Sequence, residues 1–178
     1  MTHPRLAASL ELLDAHHAAL ERAVAGVPRA ARERRPAPDG WSVAEILEHL
    51  AIVETGITAL LAGRIAESRA TGLGAEADEA GGATLDPARL LDRSRKITAG
   101  EASQPREGLD ADAAWGRLSE RRAALRALLR DADGLALSTV VAPHPLLGTL
   151  DVYGWVAFIA GHEGRHAAQI AEMGEKGE

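Results

Sequence analysis

The sequence predicts an all-α fold: a four-helix bundle with a long crossover between its second and third helices. Three observations predict it. Of the 82 hydrophobic residues in a chain of 178, Ala supplies 37 and Leu 23, while Val, Ile and the aromatic residues together supply 20. Ala and Leu favour helices, whereas β-branched and aromatic residues favour strands. Four segments also repeat apolar residues at spacings of three and four, the period of a helix with one buried face. Finally, nearly 40 residues separate the second segment from the third. That is too long for a hairpin connection, and long enough to bring the third helix in parallel to the second. The length suits one domain, read as 1–178.

The first helix is expected over Pro4–Val27, with Leu6, Leu10, Leu13, Leu20, Val24 and Val27 on one stripe. The loop VPRAARERRPAPDG stops it with prolines and a glycine. The second begins at Trp41-Ser42-Val43-Ala44-Glu45-Ile46. Ser42 and Glu45 form a capping box, and Trp41 packs on Ile46 as a staple. Its stripe is Ile46, Leu50, Val53, Ile57 and Leu60, fading near Ala70. Residues 72–84, rich in Gly, Ala and acids and without period, read as a mobile loop, and a short helix is expected over Asp86–Lys96. The third long helix is expected over Asp110–Ala132, with Ala111, Trp115, Leu118, Leu125 and Leu129 inward. The fourth is expected over Thr149–Met173, with Val152, Trp155, Ile159, Ile170 and Met173 inward. Between them, VVAPHPLLGT reads as a rigid turn around His144.

Composition excludes several function classes. No uninterrupted apolar run approaches the roughly 18–20 residues of a membrane span, and the N-terminus lacks the layout of a secretory signal. With no cysteine there is no disulfide, thiolate ligand or thiol nucleophile. A cytoplasmic location is the default. Twenty basic against 26 acidic residues give a net charge of −6, which repels a phosphate backbone, so no nucleic-acid partner is expected.

Chemistry enters through the histidines. His162 and His166 fall on the inward face of the fourth helix near Trp155, one turn apart, so their side chains stack along the axis. Two imidazoles so placed can bind one metal ion, and burying them without a partner leaves polar nitrogens unsatisfied. His49 lies at the edge of the buried face of the second helix, near its start. If the second and fourth helices are antiparallel neighbours, all three histidines share one level. Three ligands with an open position is the pattern of a catalytic or substrate-binding metal site; core packing is the alternative. His17, within the first stripe, is a fourth ligand, a pocket donor or a core histidine. Arg122, inside the third stripe, either lines the cavity to receive an anionic group or snorkels outward. His3, His16 and His144 are poor ligand candidates. His3 is terminal, His16 points aside, and His144 lies about 20 Å of helix from His162.

The string His162-Glu163-Gly164-Arg165-His166 matches the H-E-x-x-H zinc-protease signature. Only 12 residues follow His166, and none is His. The downstream third ligand of those proteases has no room. Glu163, one position from His162, also projects about 100° around the helix.

The segment from Trp41 to Leu50, WSVAEILEHL, and the segment from His144 to Ile170, HPLLGTLDVYGWVAFIAGHEGRHAAQI, resemble the DinB-like, or YfiT-like, four-helix-bundle superfamily. A looser similarity runs from Arg93 to Leu129, so the resemblance spans most of the chain. It implies an up-down-down-up bundle with a divalent metal held by His49, His162 and His166. It implies further that Gln169 is a neighbouring or pocket residue and that homodimers form. Activities in the superfamily include metal-dependent transfer using low-molecular-weight thiols and hydrolysis, in either case on a small-molecule substrate. The metal, Zn, Ni, Mn or Fe, is not chosen by the sequence. A non-catalytic metal- or ligand-binding bundle, acting in stress response, is the competing class.

Overall fold

The computed structural model describes residues 2–77, 85, 91 and 98–175. Among them are four long helices, α1 (Pro4–Ala25), α2 (Val43–Ala70), α3 (Ala111–Asp131) and α4 (Val152–Glu175). One antiparallel hairpin, β1 (Val141–His144) with β2 (Gly148–Asp151), precedes α4. The expected short helix over Asp86–Lys96, apart from Leu91, and most of the expected loop over 72–84 lie outside the described residues.

The start signals act as local chemistry requires. At α2, the Ser42 hydroxyl accepts from the Glu45 amide at 3.2 Å and the Glu45 carboxylate accepts from the Ser42 amide at 2.9 Å. Two otherwise unpaired donors are thus satisfied reciprocally. At α3, Asp110 accepts from the Ala113 amide at 2.7 Å. Pro4 opens α1, where its missing N–H costs nothing.

Leucine stripes fill two clusters. One joins Leu6, Leu10 and Leu13 of α1, Ile57, Leu61 and Ile65 of α2, Leu125 and Leu129 of α3, and Trp155, Val156 and Ile159 of α4. The other joins Leu20 and Val24, Ile46, Leu47 and Leu50, Leu118, and Ala167 and Ile170. α1 packs mainly along α4, and α2 mainly along α3.

Two expectations need correction. VVAPHPLLGT is no mere turn: Val141 pairs with Asp151, Ala142 with Leu150, Pro143 with Thr149 and His144 with Gly148. Gly148 takes φ +78°, a conformation that closes the three-residue loop and disfavours other residues. Helix α4 therefore begins at Val152, not Thr149, and Asp151 accepts from the Gly154 amide at 2.6 Å. The start of the supposed mobile loop is also fixed. Glu76, 8% exposed, accepts from the Ser138 amide and the Tyr153 hydroxyl, both at 3.0 Å, and Ala75 bridges to Leu135.

By length and composition α2 is apolar enough to cross a membrane, with a mean hydropathy of 1.4 in its most apolar window. Half of that window is buried in the bundle, and buried Glu48, His49 and Glu54 on the same helix all have polar partners. These are the properties of a core helix.

Candidate metal centre

The capping box starts α2 at a fixed residue, and that sets His49 two turns in, 4% exposed. Its Nδ1 lies 2.6 Å from the Ser103 carbonyl, which can only accept, so Nδ1 carries the proton and Nε2 the lone pair. His166 is oriented likewise: Nδ1 lies 3.0 Å from Gln169 Oε1, one turn further along α4. The Nε2 atom of His162 completes the cluster, 3.3 Å from His49 Nε2 and 3.2 Å from His166 Nε2. One ligand atom from each of the three residues lies within 4.8 Å of the others.

Three imidazole nitrogens this close, two with their lone pairs fixed inward, share at most one proton among them. Protonation is also resisted. Burial pushes the His49 imidazole down, against the opposing pull of the Ser103 carbonyl. His162 is held well below the ordinary imidazole range, chiefly by burial and then by the fields of His166 and His49. A largely buried set of nitrogen donors converging on one point is what a divalent cation requires, and these residues fit one.

Aromatic rings wall the cluster. Phe158 stacks on His162 with centroids 5.5 Å apart and planes at 8°, and Trp41 lies 4.8 Å from His49. His144 packs 4.5 Å from Phe158, because the hairpin folds back over α4. The 20 Å separation expected for a straight helix is therefore wrong. His144 is nevertheless occupied at Nδ1, which accepts from the Leu146 and Leu147 amides at 3.1 and 3.2 Å.

A second buried group adjoins the first. Arg122, 5% exposed, donates from Nε and Nη2 to the two oxygens of Glu54 at 2.8 and 3.0 Å. Its Nη2 also donates to Glu163 at 2.9 Å, and Nη1 to the Leu13 carbonyl at 3.2 Å. The remaining Glu163 oxygen lies 2.7 Å from His17 Nδ1, and the His17 ring stacks on Trp115 at 4.9 Å. Burial raises the Glu54 carboxyl above its ordinary range, although Arg122 pulls it down. The Arg122 guanidinium is raised by Glu54 and Glu163 despite its burial. A cavity of about 10 Å³, room for about one water, lies between Arg122, Glu54, Glu163 and His162, with Leu50 and Ile159 in its wall.

This geometry decides several residues. Arg122 does not snorkel: it is buried and lines the cavity beside His162, with Glu54 and Glu163 as its charge partners. His17 stands outside the three-histidine group and bonds Glu163 instead. Glu163, the acid of the H-E-x-x-H string, has both oxygens engaged. Sequence reasoning missed Glu54 and the partner role of Glu163, although both lie on apolar stripes. Glu54 follows Leu50 by four residues, and Glu163 follows Ile159 by four. An arginine inside the third stripe was the signal that acids must face it.

The fold and the cluster together define a four-helix protein with an inward-facing imidazole triad. The chain belongs to the DinB superfamily, whose family model matches residues 12–170 and so includes all three histidines. It is similar to the uncharacterized protein YuaE of Bacillus subtilis (strain 168), 28% identical over 147 residues, covering 80% of this chain and 83% of that protein. No solved structure matches the chain.

Proposed function

We propose that the chain is a small metal-dependent enzyme, a thiol-dependent transferase or a hydrolase acting on a small molecule, with His49, His162 and His166 as ligands of one divalent cation. The observation that carries this reading is the convergence of three Nε2 atoms, two of them fixed as lone-pair donors by Ser103 and Gln169. A bound cation would supply Lewis acidity, by which an external thiol or a water becomes nucleophilic near neutral pH. The chain's own residues hold and orient. Ser103 and Gln169 fix two imidazole tautomers, Phe158 and Trp41 cover two ligand rings, and the Arg122 network holds α1, α2 and α4 to α3. The chain has no cysteine, so any thiol comes from outside.

The up-down-down-up order belongs to the same reading. It is supported by the core clusters, where the first halves of α1 and α4 share a cluster with the second halves of α2 and α3. A homodimer in the cytoplasm, without nucleic-acid or membrane partners, completes the proposal; light scattering on the purified chain tests the dimer.

The test is metal analysis of protein purified without a histidine tag and exposed to Zn, Ni, Mn and Fe. One equivalent of bound metal, mostly lost in His49→Ala, is expected. No uptake of any of the four refutes the reading. One observation favours a second reading, a non-catalytic metal- or ligand-binding protein: the cavity beside His162 holds only about 10 Å³. An exchangeable water on the loaded metal, detected by relaxation of solvent protons with Mn, favours the enzyme. A site closed by a fourth protein ligand favours the binder.

A further inference from the structure

Adjacent residues of α2 hold the same stretch of the crossover. Glu48 is 1% exposed, and its Oε1 accepts from the Arg106 amide at 2.6 Å and the Glu107 amide at 2.8 Å. His49 donates Nδ1–H to the Ser103 carbonyl at 2.6 Å. Around these anchors the backbone is itself braced. A 3-10 turn spans Glu101–Ser103, the Gln104 amide bonds the Glu101 carbonyl at 3.3 Å, and the Arg106 side chain reaches the same carbonyl at 2.8 Å.

The side chains of this stretch add one exposed ion pair to α3, in which Glu107 accepts from Arg117, and such pairs are worth little. Arg106, Glu107, Gln104 and Glu101 are exposed, and Ser103 and Pro105 only half-buried. Little apolar area is available to fix the segment, so polar bonds hold it, and those made by buried groups come from Glu48 and His49 of α2. A carboxylate as buried as that of Glu48 is costly unless its oxygens are bonded, and main-chain N–H groups supply those bonds here. Releasing Arg106 and Glu107 would free the braced turn, and with it the carbonyl that fixes the His49 tautomer.

We infer that Glu48 is a positioning residue for the metal centre. By clasping the Arg106–Glu107 backbone it holds the Ser103 carbonyl on His49 Nδ1, which keeps Nε2 presented as a donor. This rests on the metal reading above. The coupling is reciprocal: a cation on Nε2 favours the Nδ1–H tautomer and so tightens the clasp.

Zn²⁺ affinity, measured by competition with a chromophoric chelator, tests it. Glu48→Ala is expected to bind Zn²⁺ about 10–100-fold more weakly than wild type, as for residues that orient metal ligands, while Glu48→Gln, which keeps an acceptor oxygen, recovers part of the loss. In apo protein, ¹⁵N spectra of the imidazoles should show His49 leaving the Nδ1–H form in Glu48→Ala but not in wild type. A measurement on the unaltered sequence accompanies these. Hydrogen-exchange protection of the Arg106 and Glu107 amides should rise when wild type is loaded with Zn²⁺, and should not rise in His49→Ala. Equal affinity of Glu48→Ala and wild type, or protection unchanged by loading, overturns the inference. Wild type that takes up no Zn, Ni, Mn or Fe overturns the metal reading itself, a failure visible before any variant is made.

Discussion

Removing the Arg122 guanidinium while keeping its volume, as in Arg122→Met, strands two carboxylates in the core. Glu54 and Glu163 are 3% and 1% exposed, and between them they take three of the four hydrogen bonds that Arg122 donates. Breaking a buried pair by deleting one partner costs about 3–5 kcal/mol, because the survivor keeps its desolvation without its compensation. For a chain of this size each kcal/mol lowers Tm by about 2–4 °C, so a fall of about 6–20 °C is expected at pH 7.5. Urea denaturation at constant m-value measures it directly. The deficit should narrow as the pH is lowered. Burial already raises the Glu54 carboxyl and Arg122 opposes that rise, so without the guanidinium the folded variant takes up a proton there that the unfolded chain does not. The triple variant Arg122→Met, Glu54→Gln, Glu163→Gln should recover much of the loss, since no charge remains to be buried. A loss below about 1 kcal/mol in Arg122→Met, the worth of an exposed ion pair, would refute the reading of this group as a desolvated network.

His49 and His162 titrate below the unfolded value of about 6.5, so their contribution to apo-protein stability is complete above that pH. It is lost as the pH falls from about 6.5 toward their folded values. The urea midpoint in chelator should drop between pH 7.5 and 5.5, and less so in a His49→Gln, His162→Gln variant; identical drops would argue against it. Gln169→Leu removes the acceptor for His166 Nδ1 while keeping the helix, and should weaken Zn²⁺ binding about 10–100-fold with little change in Tm. Binding within twofold of wild type would show that Gln169 does not orient the ligand. Ser42→Ala breaks the capping box of α2 and should cost about 1 kcal/mol by thermal melting, whereas an unchanged Tm would mean that tertiary packing alone holds that end.

How much the sequence revealed depended on whether the determining contact was local. The start of α2 follows from Ser42 and Glu45, three residues apart, and the structure has both bonds. The placement of His162 and His166 on one face needs only the helical period. His49 needed the further premise that α2 and α4 approach at that level, and the 3.3 Å between Nε2 atoms meets it. The hairpin was harder to see. Two prolines near His144 dominate its composition, and the pairing of Val141 with Asp151 is set by Gly148 and the packing of Leu150. A straight-helix count therefore sets His144 about 20 Å from His162, whereas the hairpin brings it against Phe158, which itself stacks on His162. The Arg122 partners were legible in principle, because Glu54 and Glu163 fall on apolar stripes. Seeing them requires asking what neutralises an inward-facing arginine. Ser103 could not be found at all, because its role belongs to a carbonyl that every residue has.

His49 and His162 are 113 residues apart in sequence. A cation shared between them would act as a removable cross-link, closing a loop that contains most of α2, the connection to α3, α3 itself and the hairpin. His162 and His166 need only one helix to come together, so a nascent α4 carries two thirds of the triad by itself. The third member arrives only when α2 docks, which makes full coordination a report on tertiary assembly. The entropy of closing such a loop grows slowly, about 0.6 kcal/mol for each doubling of its length. Insertions between residues 77 and 98 should therefore be tolerated by the cross-link, while even a single added residue between Ser103 and Arg106 would put its two anchors on α2 out of step.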